Sequence, residues 1–370
     1  MENNLLPPGF RDELYEKSSI EHKYKNIIID IFQINGYELI KTPLIEYVNL
    51  ENKNNSFTIK DKNEKNDLSL RNDITMQIGR VSSSRLGKKK RPLKLCYYGE
   101  VVRKKGTMLR PERQFLQVGA ECIGEKNYLA DVEMLNLAYQ SLSSVGIKDI
   151  SIELSSHVFL DYLMKNNKKY DSNKKMQSFL RKKDFKSVSK FLDSDLHEFA
   201  HNLLACSGKL EEKKNFLDKL KINQETTDTV NDLLNIHESF TNRNNEAKII
   251  LDLSESNYLD YHTGIRFTIF AKNVRGEVAR GGRYELKNNA LIEHSTGFNC
   301  YMDTIVRASS YIEKIHKILI PFDTSEKIKN NLIKKGYVIE TFFGDLKNIV
   351  KFAKEKKIKF YLFKDQINNL

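Results

Sequence analysis

The sequence predicts an α+β fold, an antiparallel sheet flanked by helices, and three observations carry that expectation. Residues 93–103 and 115–123 read as neighbouring strands joined by a basic loop. Apolar residues on either side of this pair recur at helical spacing. Residues 157–245 are rich in Lys, Asp and Asn and keep helical spacing with almost no strand signal, so they read as a helical insertion.

The chain opens on a turn-rich segment, LLPPGFRD at 5–12. Ile20, Tyr24, Ile27, Ile28, Ile31 and Phe32 then fall at helical spacing, with Gly36 as the stop. YELIKTPLIEY is extended, and Pro43 places it at an edge or a bend. Residues 51–67 are polar and read as an exposed hairpin or loop. After LSLRNDIT, Met76, Ile78 and Val81 imply a helix that Asn72 and Asp73 are suited to cap. Met134, Leu135, Ala138, Leu142 and Val145 form a further helical stripe closed by Gly146, and ISIEL follows as a strand. Beyond the insertion, extended structure returns at 249–254, in NYLDYHTGIRFTIFAK and in GEVARGGRYE. Residues 1–317 form the expected core, and 318–370 a small α/β unit.

The run 115–123 has a period of two, so alternate side chains point to opposite faces. Leu116, Val118, Ala120 and Cys122 make one face wholly apolar, which assigns it to the core. Gln117, Gly119 and Glu121 share the other face with Phe115 and Ile123. Gln117 and Glu121 stand roughly 13 Å apart at about 3.3 Å per residue. Gly119 leaves a gap between them, along which a polar small molecule fits with one end on Gln117 and the other on Glu121. The loop before this strand carries Lys104, Lys105, Arg110 and Arg113, and guanidinium groups suit phosphate or carboxylate. The competing reading is a half-buried strand whose exposed face is merely polar.

Composition narrows the classes. Of 370 residues, 40% are hydrophobic and 30% charged, a balance that supplies a sizeable core. The four cysteines are scattered without a CxxC pair, so neither metal nor disulfide is expected. MENNLLPPGFRDELYEK has no apolar run, and no stretch reaches membrane-spanning length, so a cytoplasmic location is expected. The formal net charge of +12 raises nucleic acid as a partner. The lysines are dispersed, however, and only Lys88–Lys90 with Arg91 make a tight run, which argues against a dedicated nucleic-acid site.

YYGEVVR followed by RQFLQVGAE resembles the second signature motif of class II aminoacyl-tRNA synthetases, in the form carried by histidyl-tRNA synthetases. The helix and proline-containing strand near residue 40 resemble the first motif, which in that family makes the dimer interface. The resemblance implies a class II synthetase-like sheet of six or seven antiparallel strands. It also implies a histidine site. Asp73 and Thr75 match the positions that hold the amino group of histidine, with Asp in place of the usual Glu. Arg103 matches the arginine of the second motif, while Gln117 and Glu121 lie on its strand. In LDYHTG, Tyr261 and His262 match the aromatic positions against the imidazole, His262 replacing a second tyrosine.

The departures matter as much. Asn257 stands where these synthetases carry a catalytic arginine. In TGFNCYMDTIVRA, Asp303 and Thr304 stand where the third motif ends in Glu-Arg, and Tyr301 fills a glycine position beside the adenine site. Losing one group that stabilises transition-state charge costs about 2.7–4 kcal/mol. Two such losses leave little activation chemistry, and the tail is half the length of an anticodon-binding domain. A histidine pocket without activation chemistry resembles the regulatory subunits of ATP phosphoribosyltransferase. In that family a short catalytic partner makes phosphoribosyl-ATP, so the resemblance implies a non-enzymatic, histidine-sensing subunit with no cofactor, forming a homodimer core within a hetero-oligomer. The alternative is a truncated ligase that activates histidine with ATP.

Overall fold

The computed structural model describes residues 5–48, 55–168, 173–254, 262–288, 291–309 and 316–370. Two units are present, Met1–Ser310 and Tyr311–Leu370. The first begins with α1 (Tyr15–Ile34), β1 (Glu38–Ile40), β2 (Ile45–Tyr47), β3 (Thr58–Ile59), β4 (Leu68–Leu70) and α2 (Thr75–Ser84). The central hairpin follows, β5 (Leu93–Val102) and β6 (Gln114–Ile123), then α3 (Leu129–Ser144) and β7 (Ile150–Ser156). A mainly helical stretch comes next: α4 (Val158–Asn166), α5 (Asn173–Arg181), α6 (Phe185–Val188), α7 (His197–Ala205), β8 (Ser207–Lys209), α8 (Leu210–Asp218) and α9 (Gln224–Thr241). The unit ends with β9 (Lys248–Asp252), β10 (His262–Ala271), β11 (Ala279–Asn288), β12 (Leu291–Tyr301) and α10 (Met302–Ala308).

One sheet of nine strands organises this unit, in the order β1-β5-β6-β12-β11-β10-β7-β9-β8. It is larger than the six or seven strands expected, and not wholly antiparallel. β1 pairs with β5, and β9 with β7, in parallel. The additions β1 and β8 are three residues each, too short for a period of two to show. A separate three-stranded sheet, β2-β4-β3, takes the chain after Pro43.

Alternation along the long strands divides the sheet into two chemically different faces. On one, Val118, Ala120 and Cys122 of β6 join Phe267 and Ile269 of β10 and Phe298 of β12 in the main core. Tyr24, Ile28 and Phe32 of α1 and Met134, Leu135, Ala138 and Leu142 of α3 close it from outside. These are the stripes that helical spacing picks out. On the other face, Leu93, Leu95 and Tyr97 of β5 meet Phe115, Ile123, Tyr284, Tyr301 and, from α2, Ile78 in a smaller core. This second face carries the polar side chains of β6.

The second unit contains β13 (His316–Pro321), α11 (Glu326–Lys334), β14 (Tyr337–Phe342), α12 (Ile349–Glu355), β15 (Phe360–Phe363) and β16 (Gln366–Asn369). Its sheet runs β14-β13-β15-β16, with β13 parallel to both neighbours. A central parallel strand is covered on both faces, which is why Ile318, Leu319 and Ile320 form an unbroken apolar run. Ile318 and Ile320 pack with Leu332 of α11, whereas Leu319 packs with Ile349 and Ala353 of α12.

Phe298 ties the main core together. It is 1% exposed and meets the Phe32 ring edge-on, with centroids 5.5 Å apart. Phe298→Ala is expected to lower unfolding free energy by about 3–5 kcal/mol, the usual cost of an aromatic-to-alanine cavity. Urea denaturation of the purified chain measures it, and a loss below about 1 kcal/mol would show that this core tolerates a void.

Candidate functional site

The polar face of β6 meets the start of α2. The Gln117 Nε2 donates to Asp73 Oδ2 at 3.0 Å, and its Oε1 accepts from the Ile74 N–H at 3.1 Å. Asp73 Oδ1 accepts from the Thr75 N–H at 2.8 Å, so one carboxylate supports the helix entry and reaches the strand. Asp73, Thr75 and Gln117 are therefore brought together. Thr75 Oγ1 continues the chain of contacts, 3.0 Å from the Tyr97 hydroxyl, and accepts from Asn299 Nδ2 at 3.0 Å.

Glu121 lies at the other end of this network and is fully buried. Its Oε1 is 2.8 Å from the Tyr97 hydroxyl, and its Oε2 accepts from the Tyr284 hydroxyl at 2.9 Å. Room for the carboxyl comes from β12. A Cβ added to Gly297 would fall 1.6 Å from Glu121 Oε2. The expected gap over Gly119 is a correction, because the chain's own side chains fill it. A Cβ at Gly119 would lie 2.6 Å from the Tyr97 hydroxyl and 2.6 Å from Asn299 Oδ1. Period-two reasoning assigns a face to a residue, but cannot say which cross-strand side chain covers a glycine there. Tyr97, Tyr284 and Asn299 are the members of this candidate site that sequence reasoning missed. Tyr97 and Tyr284 lie inside the quoted motifs YYGEVVR and ARGGRY, which is the signal available for them.

The Tyr97 hydroxyl is 2.8 Å from both Glu121 Oε1 and Asn299 Oδ1, and with one proton to give it can serve either acceptor, so the network has two proton arrangements. Burial drives the Glu121 carboxyl up to about 8, against the hydrogen bonds from Tyr97, Thr75 and Tyr284 and with the Asp73 charge adding to the rise. Burial thus favours the neutral form of the Glu121 carboxyl well above the ordinary carboxylate range.

Arg103 lies elsewhere. It sits just beyond β5, its guanidinium 4.9 Å from the Phe115 ring centre and 5.9 Å from that of Tyr301. Since Tyr301 pairs with Gln117, Arg103 is at the Gln117 end of the strand rather than the Glu121 end. Arg110 stacks on the same two rings at 4.2 and 3.9 Å. Only 3% exposed, it pairs with Asp303 at 2.9 Å and Glu277 at 3.4 Å. Arg307 pairs with Glu112 and donates to Thr304 Oγ1 at 3.3 Å. The space beside Tyr301 is thus occupied by a buried, internally compensated guanidinium.

His262 opens β10, half-buried, with its ring edge-on to Tyr284 at 6.5 Å. It stands behind the tyrosine that holds Glu121. Tyr261 and Asn257 lie outside the described residues. Among the described residues, no three His, Cys, Asp or Glu side chains converge to hold a metal ion, and no helix is long and apolar enough to cross a membrane. All four cysteines are free and buried.

A pH dependence follows from Glu121. Its folded pKa is raised above the ordinary 4.5, so its contribution to stability is full below 4.5 and is lost as pH rises towards about 8. Stability of Glu121→Gln relative to wild type should therefore improve steadily between pH 5 and 8. Urea midpoints across that range test it, and parallel curves for the two proteins would mean that Glu121 is ionised in the fold.

Comparison with known proteins places this geometry. The profile of the histidyl-tRNA synthetase family matches residues 9–305. An ATP phosphoribosyltransferase regulatory subunit from Rhodospirillum rubrum is 30% identical over 342 residues, 90% of this chain and 89% of that one. Another from Clostridium botulinum is 30% identical over 423 residues, covering 100% of this chain and 98% of its own. A solved ATP phosphoribosyltransferase regulatory subunit/histidyl-tRNA synthetase from Bacillus halodurans C matches with a TM-score of 0.78 at 20% identity, covering 97% of each chain. A histidyl-tRNA synthetase from Nostoc sp. PCC 7120 matches at 0.74 and 17% identity, over 98% of this chain and 91% of its own. These two structures show the class II synthetase-like fold, and the sequence relatives show the lineage. The chain belongs to the family of ATP phosphoribosyltransferase regulatory subunits, within the wider histidyl-tRNA synthetase family.

Proposed function

We propose that this chain is the non-catalytic regulatory subunit of ATP phosphoribosyltransferase, activating a short catalytic subunit in the first step of histidine biosynthesis and sensing histidine for feedback. The observation that carries it is Arg110, buried on Phe115 and Tyr301 and neutralised by Asp303 and Glu277. Class II activation needs cations directed at a transferring phosphate. Here Arg110, stacked on Tyr301, is already engaged by two carboxylates. The amino-acid end, by contrast, keeps a connected set of donors and acceptors in Asp73, Thr75, Gln117 and Glu121.

On this reading histidine lies with its amino group towards Asp73, Thr75 and Gln117, and its imidazole N–H on Glu121, with His262 and Tyr261 behind. Arg103 serves the Gln117 end. Binding an N–H donor at Glu121 requires the carboxyl to be ionised, so its proton leaves to solvent as histidine binds. The homodimer is proposed to form through the first-motif region, where Ile34, Leu39, Leu44, Ile45 and Tyr47 are all exposed. Exposed apolar side chains grouped in this way mark an association surface.

Two outcomes test the proposal. The purified chain should catalyse no histidine-dependent exchange of pyrophosphate into ATP above the level of an Arg103→Ala variant, while mixing it with a short catalytic subunit should give a stable complex and raise transferase activity. Exchange above that level would establish the ligase instead, and separate elution with unchanged activity would remove the regulatory role. Glu121→Gln, which keeps the shape, should weaken histidine binding roughly tenfold or more in calorimetry, since a hydrogen bond to a charged group is worth about 1.5–3 kcal/mol. Equal affinities would place the sensor away from Glu121.

A further inference from the structure

A sheet edge with unpaired backbone groups can accept a strand from another chain, and proteins commonly blunt such edges by keeping them short. Most edges here are blunted in that way. The nine-stranded sheet ends in β1 and β8, of three residues each. The three-stranded sheet ends in β2 and β3, of three and two residues. In the second unit β16 ends the sheet with four residues, QINN. β14 at the other end is six residues long, YVIETF, and among the described residues it pairs with β13 alone.

The pairing shows which groups this edge offers. The Phe322 N–H donates to the Phe342 carbonyl at 3.1 Å. Phe342 therefore turns its backbone groups to β13, and in an alternating strand Glu340 and Val338 do the same. Tyr337, Ile339 and Thr341 turn theirs the other way, to the open edge. Beside the end of this edge, between β14 and α12, lies a cleft of about 460 Å³. Thr341, Phe342 and Phe343 form one wall, and Asn348, Lys351 and Phe352 the other. The Phe352 and Phe342 rings are 5.2 Å apart, which puts this flank of α12 on the β14 side. No residue of β13 or β15 lines the cleft, so it opens at the edge of the sheet. Phe343 is 79% exposed in its wall, and the ring of Phe322, 68% exposed, stands 5.5 Å away. Adjacent aromatic rings left this open mark an association surface.

We infer that the β14 edge and this cleft receive an extended segment of a protein partner. The segment pairs its main chain with Ile339 and Thr341 and places a bulky apolar side chain in the cleft. Strand addition works in this way: backbone hydrogen bonds supply affinity, and pockets for alternate side chains supply selectivity. Charge defines the rest of the segment. From Asp345 to Lys359 the chain carries six lysines against two acidic residues. Lys347, Lys351 and Lys354 recur at helical spacing and are all exposed. The side chains flanking the apolar one are therefore acidic. A second copy of this chain fits less well, because it would bring one set of lysines against the other. This surface is independent of the Glu121 site and of the histidine reading.

The probe is a phage-displayed library of short random peptides, panned on the immobilised full chain. It should enrich sequences in which acidic residues alternate with apolar ones around a large apolar side chain. A synthetic peptide of the enriched sequence should bind about tenfold more weakly once a pairing main-chain N–H is methylated, the worth of one hydrogen bond. Thr341→Pro removes an N–H that points to the open edge, a change that edge strands tolerate. It should weaken the peptide at least as much, with an unchanged urea midpoint. Phe343→Ser leaves the backbone alone and should weaken it too. Enrichment of no sequence overturns the inference, as does a peptide that binds both variants as tightly as wild type. It is also overturned if Thr341→Pro only breaks a dimer of the chain in sedimentation, which would make the edge a contact between copies.

Discussion

Burial of the Glu121 carboxyl against Gly297 is the constraint on which the site depends. An acid at zero exposure is tolerated only where its polar atoms are satisfied or its charge is suppressed. Both happen here. Tyr97 comes from the strand on one side of β6, and Tyr284 from two strands away on the other. Each hydroxyl reaches one carboxyl oxygen. That arrangement needs β5, β6, β12 and β11 held in fixed register, and the register is held from behind. The opposite face packs Val118, Ala120, Cys122 and Phe298 against α1 and α3, and slipping one strand by one residue would turn those side chains into the site.

The two ends of the site have different electrostatics. Around Tyr301, Arg110 and Arg307 are each matched by carboxylates, while Arg103 stacks on the Phe115 and Tyr301 rings. Around Glu121 the contacts are hydroxyl, amide and acid, groups that can donate or accept by moving a proton or turning an amide. A ligand entering that end need not break a buried ion pair, which would cost several kcal/mol. It needs only to redirect hydrogen bonds. One end of the sheet is thus fixed, and the other adjustable.

Much of this was legible in the sequence, and the limits have a physical basis. Period two in β6 separated the core residues from Gln117 and Glu121, because alternation is a local property of a pleated strand. Helical stripes located α1 and α3 for the same reason. The partners of Glu121 were not legible, since Tyr97, Tyr284 and Gly297 reach it only through pairing between segments far apart in the chain. The gap over Gly119 was misjudged on that account: the glycine is real, but Tyr97 from the next strand occupies its space.

The role proposed for this site is sensing rather than turnover. Rate enhancement requires groups that bind the transition state more tightly than the substrate. A cluster closed around a buried acid, with Arg110 held by Asp303 and Glu277, suits the proposed binding role. Binding energy gained there is available to shift an equilibrium between conformations, by no more than the ligand's preference for one over the other. The coupling is also reciprocal. If histidine in this pocket alters the affinity for a catalytic partner by some factor, the partner alters the affinity for histidine by the same factor. The adjustable end of the site is therefore where such coupling has to begin, because the Tyr97–Asn299–Glu121 network has two proton arrangements, and the paired arginines have one.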